Sequence, residues 1–221
     1  MSKLDHIVIG ATSLEEGTAY IENKLKTKLS DIGYHDFMGT HNRVLRIGNN
    51  IYLEVIAIDP NCKSPNRERW FNLDSSILQE RLKKNPQVIG YVIETYDKTV
   101  LKHYFPFFNA KRGIYKWKFA MPMPVKNLLP SIMVDNGVIP SIINWESDKP
   151  IKKMKESQFE LEKIEVKILK NQLSFKDLMI SLKQPKELTY LINKEDTDFI
   201  SDYPKLTISI RNTLKNNIID L

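Results

Sequence analysis

The sequence predicts an α+β fold built from repeated β-α-β-β-β modules, and three observations carry that expectation. The first is a strand-like run, "LDHIVIG", followed by helical periodicity in "TSLEEGTAYIENKLKTK" and by two further strand-like runs around "GNN". The second is the return of the same order in "QVIGYVIETYDKTVLKHYF" and then in the strand-like segments "GIYKWKFAMP" and "GVIPSIINWE". The third is another pass near the end, through "FELEKIEVKIL", "SFKDLMISLKQ" and "LTISIRNTLKNNIIDL".

In the first module, Ser13 and Glu16 have capping-box spacing, so each can satisfy a free amide at a helix start. Leu14, Thr18, Ile21 and Leu25 fall on one helical face, and Lys24, Lys26 and Lys28 suit the negative end of the helix dipole. Gly48-Asn49-Asn50 is a turn composition that accepts positive φ and joins two strands. In the second module Asp97 is placed to cap a short helix, and in the third Phe175, Leu178, Met179 and Leu182 share a helical face. Laying "LEKIEV" on "LDHIVI" sets Lys163 opposite His6, and "NNIIDL" echoes "NNIYLE". The connector "DPNCKSPNRERWFNLDSS" is polar and proline-bearing, hence a loop. Its Trp70 and Phe71 are too costly to leave in water, so they clamp the loop onto the sheet, cross a pocket mouth, or form a satellite cluster. "SDKPIKKMKESQ" is a second, charged connector.

Alternate side chains of a strand face opposite ways. On "IYLEVIAI" one face carries Ile51, Leu53, Val55 and Ala57, ready to receive the helix, and the other carries Tyr52, Glu54, Ile56 and Ile58. The same reading puts Ile7 and Ile9 under the helix, with His6 and Val8 opposite, so His6 and Glu54 should share the concave side of the sheet. A carboxylate there is costly without a partner. A His6–Glu54 hydrogen bond, a shared cation and a water-filled cavity open to ligand are the three solutions. On the preceding strand His41 and Arg43 share one face and Asn42, Val44 and Arg46 the other; parity alone leaves open which looks into the cup. Solvent is the default for His35 and His103.

Composition narrows the classes. A chain of 221 residues can bury a proper core, and no apolar run reaches the roughly 18–20 residues of a membrane span. "MSKLDHIVIG" reads as a first strand rather than a signal peptide. The single Cys62 in a polar loop reads as an inert thiol, which suits a reducing, cytoplasmic setting. The net charge of +6 is mostly lysine interleaved with acids, which describes a solvated face and not a nucleic-acid groove. No phosphate loop, nucleophile elbow, zinc-protease helix motif or dinucleotide fingerprint is present.

Together "LDHIVIGATSLEEG", "GTHNRVLRIGNNIYLEVIAIDP", "RERWFNLD", "KRGIYKWKFAMP" and "GVIPSIINW" resemble the glyoxalase-like branch of the vicinal oxygen chelate superfamily, the group of glyoxalases, bleomycin-resistance proteins and extradiol dioxygenases. The resemblance implies that the modules curl into a curved half-barrel around a ligand cavity. It implies a glyoxalase-like domain over residues 1–147, made of modules 1–60 and 87–147 joined by a loop. A third β-α-β-β-like unit over residues 159–221 would pack on or complete the same barrel. Enzymes of that superfamily commonly hold a divalent cation there, Fe, Mn, Ni or Zn, between a first-strand histidine and a last-strand glutamate. His6 and Glu54 stand at those places. The second module departs from the pattern, with Gly90 at one ligand position and Asn144 and Glu146 near the other.

The implied functions are metal-assisted lyase, isomerase or dioxygenase chemistry on a small oxygen-rich metabolite, or metal-free binding and sequestration of such a molecule in the same cup. In the first case His6 and Glu54 are the metal ligands, and His41 and Glu54 the catalytic pair if His41 reaches the cavity. Tyr52, Tyr91, Trp117 and Trp145 would wall the substrate site, and Arg112, or else Arg43, would clamp an anionic group. The expected partners are a small-molecule ligand and a second copy of the chain in a homodimer, with neither nucleic acid nor membrane.

Overall fold

The computed structural model describes residues 2–96, 104, 106–122, 137–169, 188–193 and 205–221. The first module comprises β1 (Lys3–Gly10), α1 (Leu14–Leu25), β2 (Gly33–His35), β3 (Thr40–Arg46) and β4 (Tyr52–Ile58). The helix starts at Ser13, whose hydroxyl accepts from the Glu16 amide at 3.1 Å, and stops at Lys26 in the left-handed region (φ 54°). It buries Leu14, Gly17, Ile21 and Leu25. Gly17 is where helix and sheet come closest: a Cβ there would lie 2.7 Å from both the Ala11 Cβ and a Val55 methyl. Neither group is the end of a flexible chain. Gly17→Ala should therefore lose more by overpacking than it gains in helix propensity, a net destabilisation of about 1 kcal/mol readable from urea unfolding.

A loop and the short helix α2 (Ser76–Leu82) lead to the second module, β5 (Gln87–Glu94), β6 (Phe108–Arg112), β7 (Tyr115–Ala120) and β8 (Ser141–Trp145). One eight-stranded sheet runs β2-β3-β4-β1-β5-β8-β7-β6. Each module pairs its first and last strands in parallel (β1 with β4, β5 with β8), and the modules join through the antiparallel β1–β5 pair. Read outward from that joint, both halves have the same order. The sheet curls until its edges nearly meet, for Arg112 on β6 lies 3.0 Å from His35 on β2.

The β1–β5 ladder is irregular in a way that matters. Leu4 pairs with Ile93 and His6 with Val92, so Asp5 has no partner and forms a β-bulge. The bulge breaks the alternation on β1: Leu4, Ile7 and Ile9 all belong to the core beneath α1, whereas Asp5 and His6 bond to each other on the concave side, with Asp5 also reaching Trp145 and His6 facing Glu54. On β4 the alternation holds, with Leu53, Val55 and Ala57 under the helix and Tyr52, Glu54 and Ile56 facing the concavity.

The remaining strands, β9 (Phe159–Leu169), β10 (Leu188–Asn193), β11 (Lys205–Asn212) and β12 (Asn217–Asp220), form a second sheet in the order β10-β9-β11-β12. Phe159, Ile164, Val166, Ile208 and Ile210 enter the same core as Ile7, Ile9 and Leu53, so this sheet covers the convex side beside α1. Its first strand pairs with β10 and β11, while β12 pairs with β11 alone; Lys163 and Asp220 thus stand on strands that are not neighbours. Strands β6 and β10 and helix α2 have no counterpart in the sequence reading. The helices expected after Asp97 and over residues 175–182, and His103, lie outside the described residues. Among the described residues no helix is long and apolar enough to cross a membrane.

Candidate functional site

The concave face of the sheet carries a cavity floored by β1 and β4. His6, Asp5 and Glu54 are 4 %, 1 % and 5 % exposed. The His6 Nδ1 lies 2.7 Å from Asp5 Oδ1. The Asp5 carboxyl is buried, which raises its pKa, but the His6 hydrogen bond and charge, then Lys149 and Trp145, outweigh this and hold it below its ordinary range. An ionised carboxylate only accepts, so Nδ1 carries the proton and Nε2 is the nitrogen that faces Glu54 Oε2, 3.5 Å away. Asp5 Oδ2 also accepts from the Trp145 indole at 2.8 Å and lies 3.4 Å from Lys149 Nζ, itself 2.6 Å from Glu94. Burial alone would lower the Lys149 pKa, but the Glu94 hydrogen bond and the two carboxylates raise it, keeping the ammonium charged.

The other oxygen of Glu54 accepts from the Asn42 amide nitrogen. Asn42 Oδ1 in turn accepts from Arg112 Nη1 at 3.2 Å. Gly33 makes room for that contact, since a Cβ there would lie 2.4 Å from Asn42 Oδ1 and 2.5 Å from Arg112 Nη1. The same guanidinium donates to His35 Nε2, so His35 holds its proton on Nδ1, 3.4 Å from the Thr40 hydroxyl, which also accepts from the Trp70 indole at 3.2 Å. Burial first, then the Arg112 charge with smaller effects of His6 and His41, push the His35 pKa well below the ordinary imidazole range.

Tyr52 stacks on His6 with ring centroids 4.7 Å apart. Its hydroxyl is pushed well above the ordinary phenol range by burial, then by Asp5 and Glu54. Trp70, Phe71, Trp117, Phe119, Ile143 and Trp145 supply the apolar wall. Trp70 and Phe71 come from the 59–75 loop, and both lie inside the barrel, with Phe71 edge-on to His6. They narrow the free volume to about 40 Å³, room for about three waters or a ligand head of a few atoms.

Of the residues named from sequence, His6, Glu54, Tyr52, Arg112, Trp117 and Trp145 all line this cavity. His41, Tyr91 and Arg43 do not. His41 pairs with Ala57 across the β3–β4 ladder and shares the helix side with it, so Asn42 and not His41 looks into the cup. Tyr91 pairs with Ile7, sits in the core beneath α1, and donates its hydroxyl to the Val138 carbonyl at 3.1 Å. Arg43 also points away, to the Ser30 carbonyl. In the second module Asn144 donates to the Thr95 carbonyl and Glu146 pairs with Lys118 at the surface. Asp5, Asn42 as a partner of Glu54, and His35 are the polar members that parity and loop composition did not single out. The acid-histidine dipeptide at a strand start was the one signal available for Asp5.

The His6 Nε2–Glu54 Oε2 separation of 3.5 Å is close to the ~3.4 Å that two ligands at about 2.1 Å span at a tetrahedral ion. The donors stop there. Among the described residues no group of three His, Cys, Asp or Glu side chains converges to hold a metal, and Glu54 Oε1 is committed to Asn42. Structural zinc uses four protein ligands and catalytic zinc three. The described residues therefore do not fit a firmly held first-row metal.

The glyoxalase-like domain family matches residues 4–178. No curated protein matches the chain. Among solved structures, a hypothetical protein from Staphylococcus aureus aligns with a TM-score of 0.59 at 17 % identity, covering 100 % of this chain and 85 % of that one. Methylmalonyl-CoA epimerase from Mycobacterium tuberculosis aligns at a TM-score of 0.41 and 15 % identity, over 68 % of this chain and 91 % of its own. The Streptomyces coelicolor epimerase in complex with 2-nitronate-propionyl-CoA gives 0.40 and 17 %, over 67 % and 98 %.

Proposed function

Because this chain belongs to the glyoxalase-like domain family, we propose that its cup takes a small, oxygen-rich anionic metabolite and exchanges a carbon-bound proton with it, with no resident metal. The buried Asp5–His6–Glu54 chain opening onto the same cavity as Arg112 carries this reading. A carboxylate or carbonyl oxygen of the ligand would meet the Arg112 guanidinium, while the adjacent carbon faces Glu54. Glu54 Oε2 takes the proton; the C–H electron pair moves onto the carbonyl oxygen, where Arg112 stabilises the developing charge. Returning the proton to the opposite face of the same carbon gives epimerisation; where that carbon carries a hydroxyl, moving the hydroxyl proton to the enolate oxygen and returning the carbon-bound proton to the former carbonyl carbon gives isomerisation. His6 is the proton's second station, and Asp5 fixes which of its nitrogens faces Glu54.

The test is deuterium exchange in D2O with chelator present, followed by NMR, with pyruvate and hydroxypyruvate as probes. The wild type should wash out the C3 protons next to the keto group, and Glu54→Gln should slow this by at least about 100-fold while probe affinity stays within about threefold. Exchange equal in Glu54→Gln, or seen only after a divalent metal is added, would defeat the proposal. The Asn42 hydrogen bond that occupies one Glu54 oxygen favours a second reading, a binding or sequestering protein of the same fold. Thermal stabilisation by the probes without exchange would select it. A cytoplasmic homodimer completes the proposal, supported by the family resemblance and the lone cysteine; a strict monomer by mass measurement in solution removes the dimer.

A further inference from the structure

The cavity does not end at its throat. Val44, Arg112, Tyr115, Pro150 and Met154 line both the inner cavity and a larger groove of about 820 Å³ between β3 and the 150–158 connector. The two spaces differ in character. The inner one is mostly aromatic, with its charge fixed in the Asp5–His6–Glu54 chain and Arg112. Beyond an apolar collar of Val44, Pro150 and Met154, the groove is walled by Arg46 on one side and by Lys153 and Lys155 on the other, with Asp31 and Glu156 as its acids.

The state of these cations makes the groove a candidate site. Arg46 lies along it with its side chain 18 % exposed, fixed by the Gly48 and Asn49 carbonyls and only 3.6 Å from the exposed Glu156. Lys28, on the same wall, is taken up by Glu22. Lys153 and Lys155 are exposed and in no ion pair among the described residues. A held guanidinium facing exposed ammonium groups that form no ion pair among the described residues suits a multiply charged anion, and the collar suits a neutral linker between that anion and the buried head.

We propose that the groove is a second subsite, and that the natural ligand combines a small oxygenated head in the inner cavity with an extended tail ending in a phosphate or pyrophosphate ester. This rests on the inner cavity being the reactive site, but the groove can be probed alone. Inorganic pyrophosphate and pyruvate serve as separate probes, followed by calorimetry at low salt on the wild type, Lys153→Glu/Lys155→Glu and Glu54→Gln. Pyrophosphate should bind the wild type, weaken about tenfold in the double charge reversal, and weaken further as added salt screens it. The double variant should keep the unliganded melting temperature and the pyruvate affinity of the wild type. No pyrophosphate binding, or binding indifferent to the double substitution, overturns the subsite. Failure of pyruvate alone, with pyrophosphate behaving as expected, overturns the inner-cavity reading and leaves the anion groove standing.

Discussion

Asp5→Ala is expected to cost about 3–5 kcal/mol of folding stability, the usual penalty for removing one partner of a buried charged network. The substitution leaves the buried His6 Nδ1–H and the part-buried Trp145 indole N–H without their acceptor and takes one carboxylate from Lys149. The pH dependence follows from the same contacts. The Asp5 pKa is lower in the fold than the ordinary value of 3.8, so the unfolded chain binds that proton more readily. Its contribution is fully present above the unfolded value and is lost as pH falls through the folded one. Asp5→Asn should therefore flatten the acid limb of the stability curve below about pH 4. Urea unfolding midpoints over a pH series measure both effects. An Asp5→Ala variant as stable as the wild type would show that the bulge, and not its carboxylate, organises the site.

The second large effect belongs to His35, whose Nε2 accepts from Arg112 across the nearly closed edges of the sheet. Only a neutral imidazole can accept there. Its folded pKa lies well below the ordinary value of 6.5, so below about 6.5 the unfolded state binds one proton more than the fold. Stability attributable to His35 is complete above that value and falls as pH drops beneath it, by about tenfold in the folding equilibrium per pH unit until the folded pKa is reached. This loss sets in at a higher pH than the one assigned to Asp5, so the two onsets are distinct on one curve. His35→Gln supplies an untitratable acceptor for Arg112 and should remove the limb that sets in below about pH 6.5 while leaving neutral-pH stability within about 1 kcal/mol. An upper limb that survives in His35→Gln would assign the loss to another group.

Both predictions concern residues that sequence did not place in the site, and the reasons differ. On β4 the strand period was unbroken, so "YLEVIAI" placed Tyr52 and Glu54 on one face and Leu53 and Val55 on the other, as the structure has them. On β1 the bulge broke that period, and counting alternate residues hid Asp5 behind His6. A bulge is set by how two strands fit their shared twist, a property of the pair and not of either segment alone.

Local sequence suffices for the repeated strand order of the two modules, the cap at Ser13, and the inward face of the strand that carries Glu54; each rests on a periodicity or a hydrogen bond completed within a few residues. Tertiary structure alone decided that Asn42 rather than His41 faces the cup, that Tyr91 goes to the core, and that a tryptophan from a polar loop fills the barrel. It also brought His35 and Arg112, 77 positions apart, into one hydrogen bond. These outcomes follow from curvature: once the sheet bends, its concave side and the meeting of its edges are fixed by all the strands together, and no local stretch carries that information.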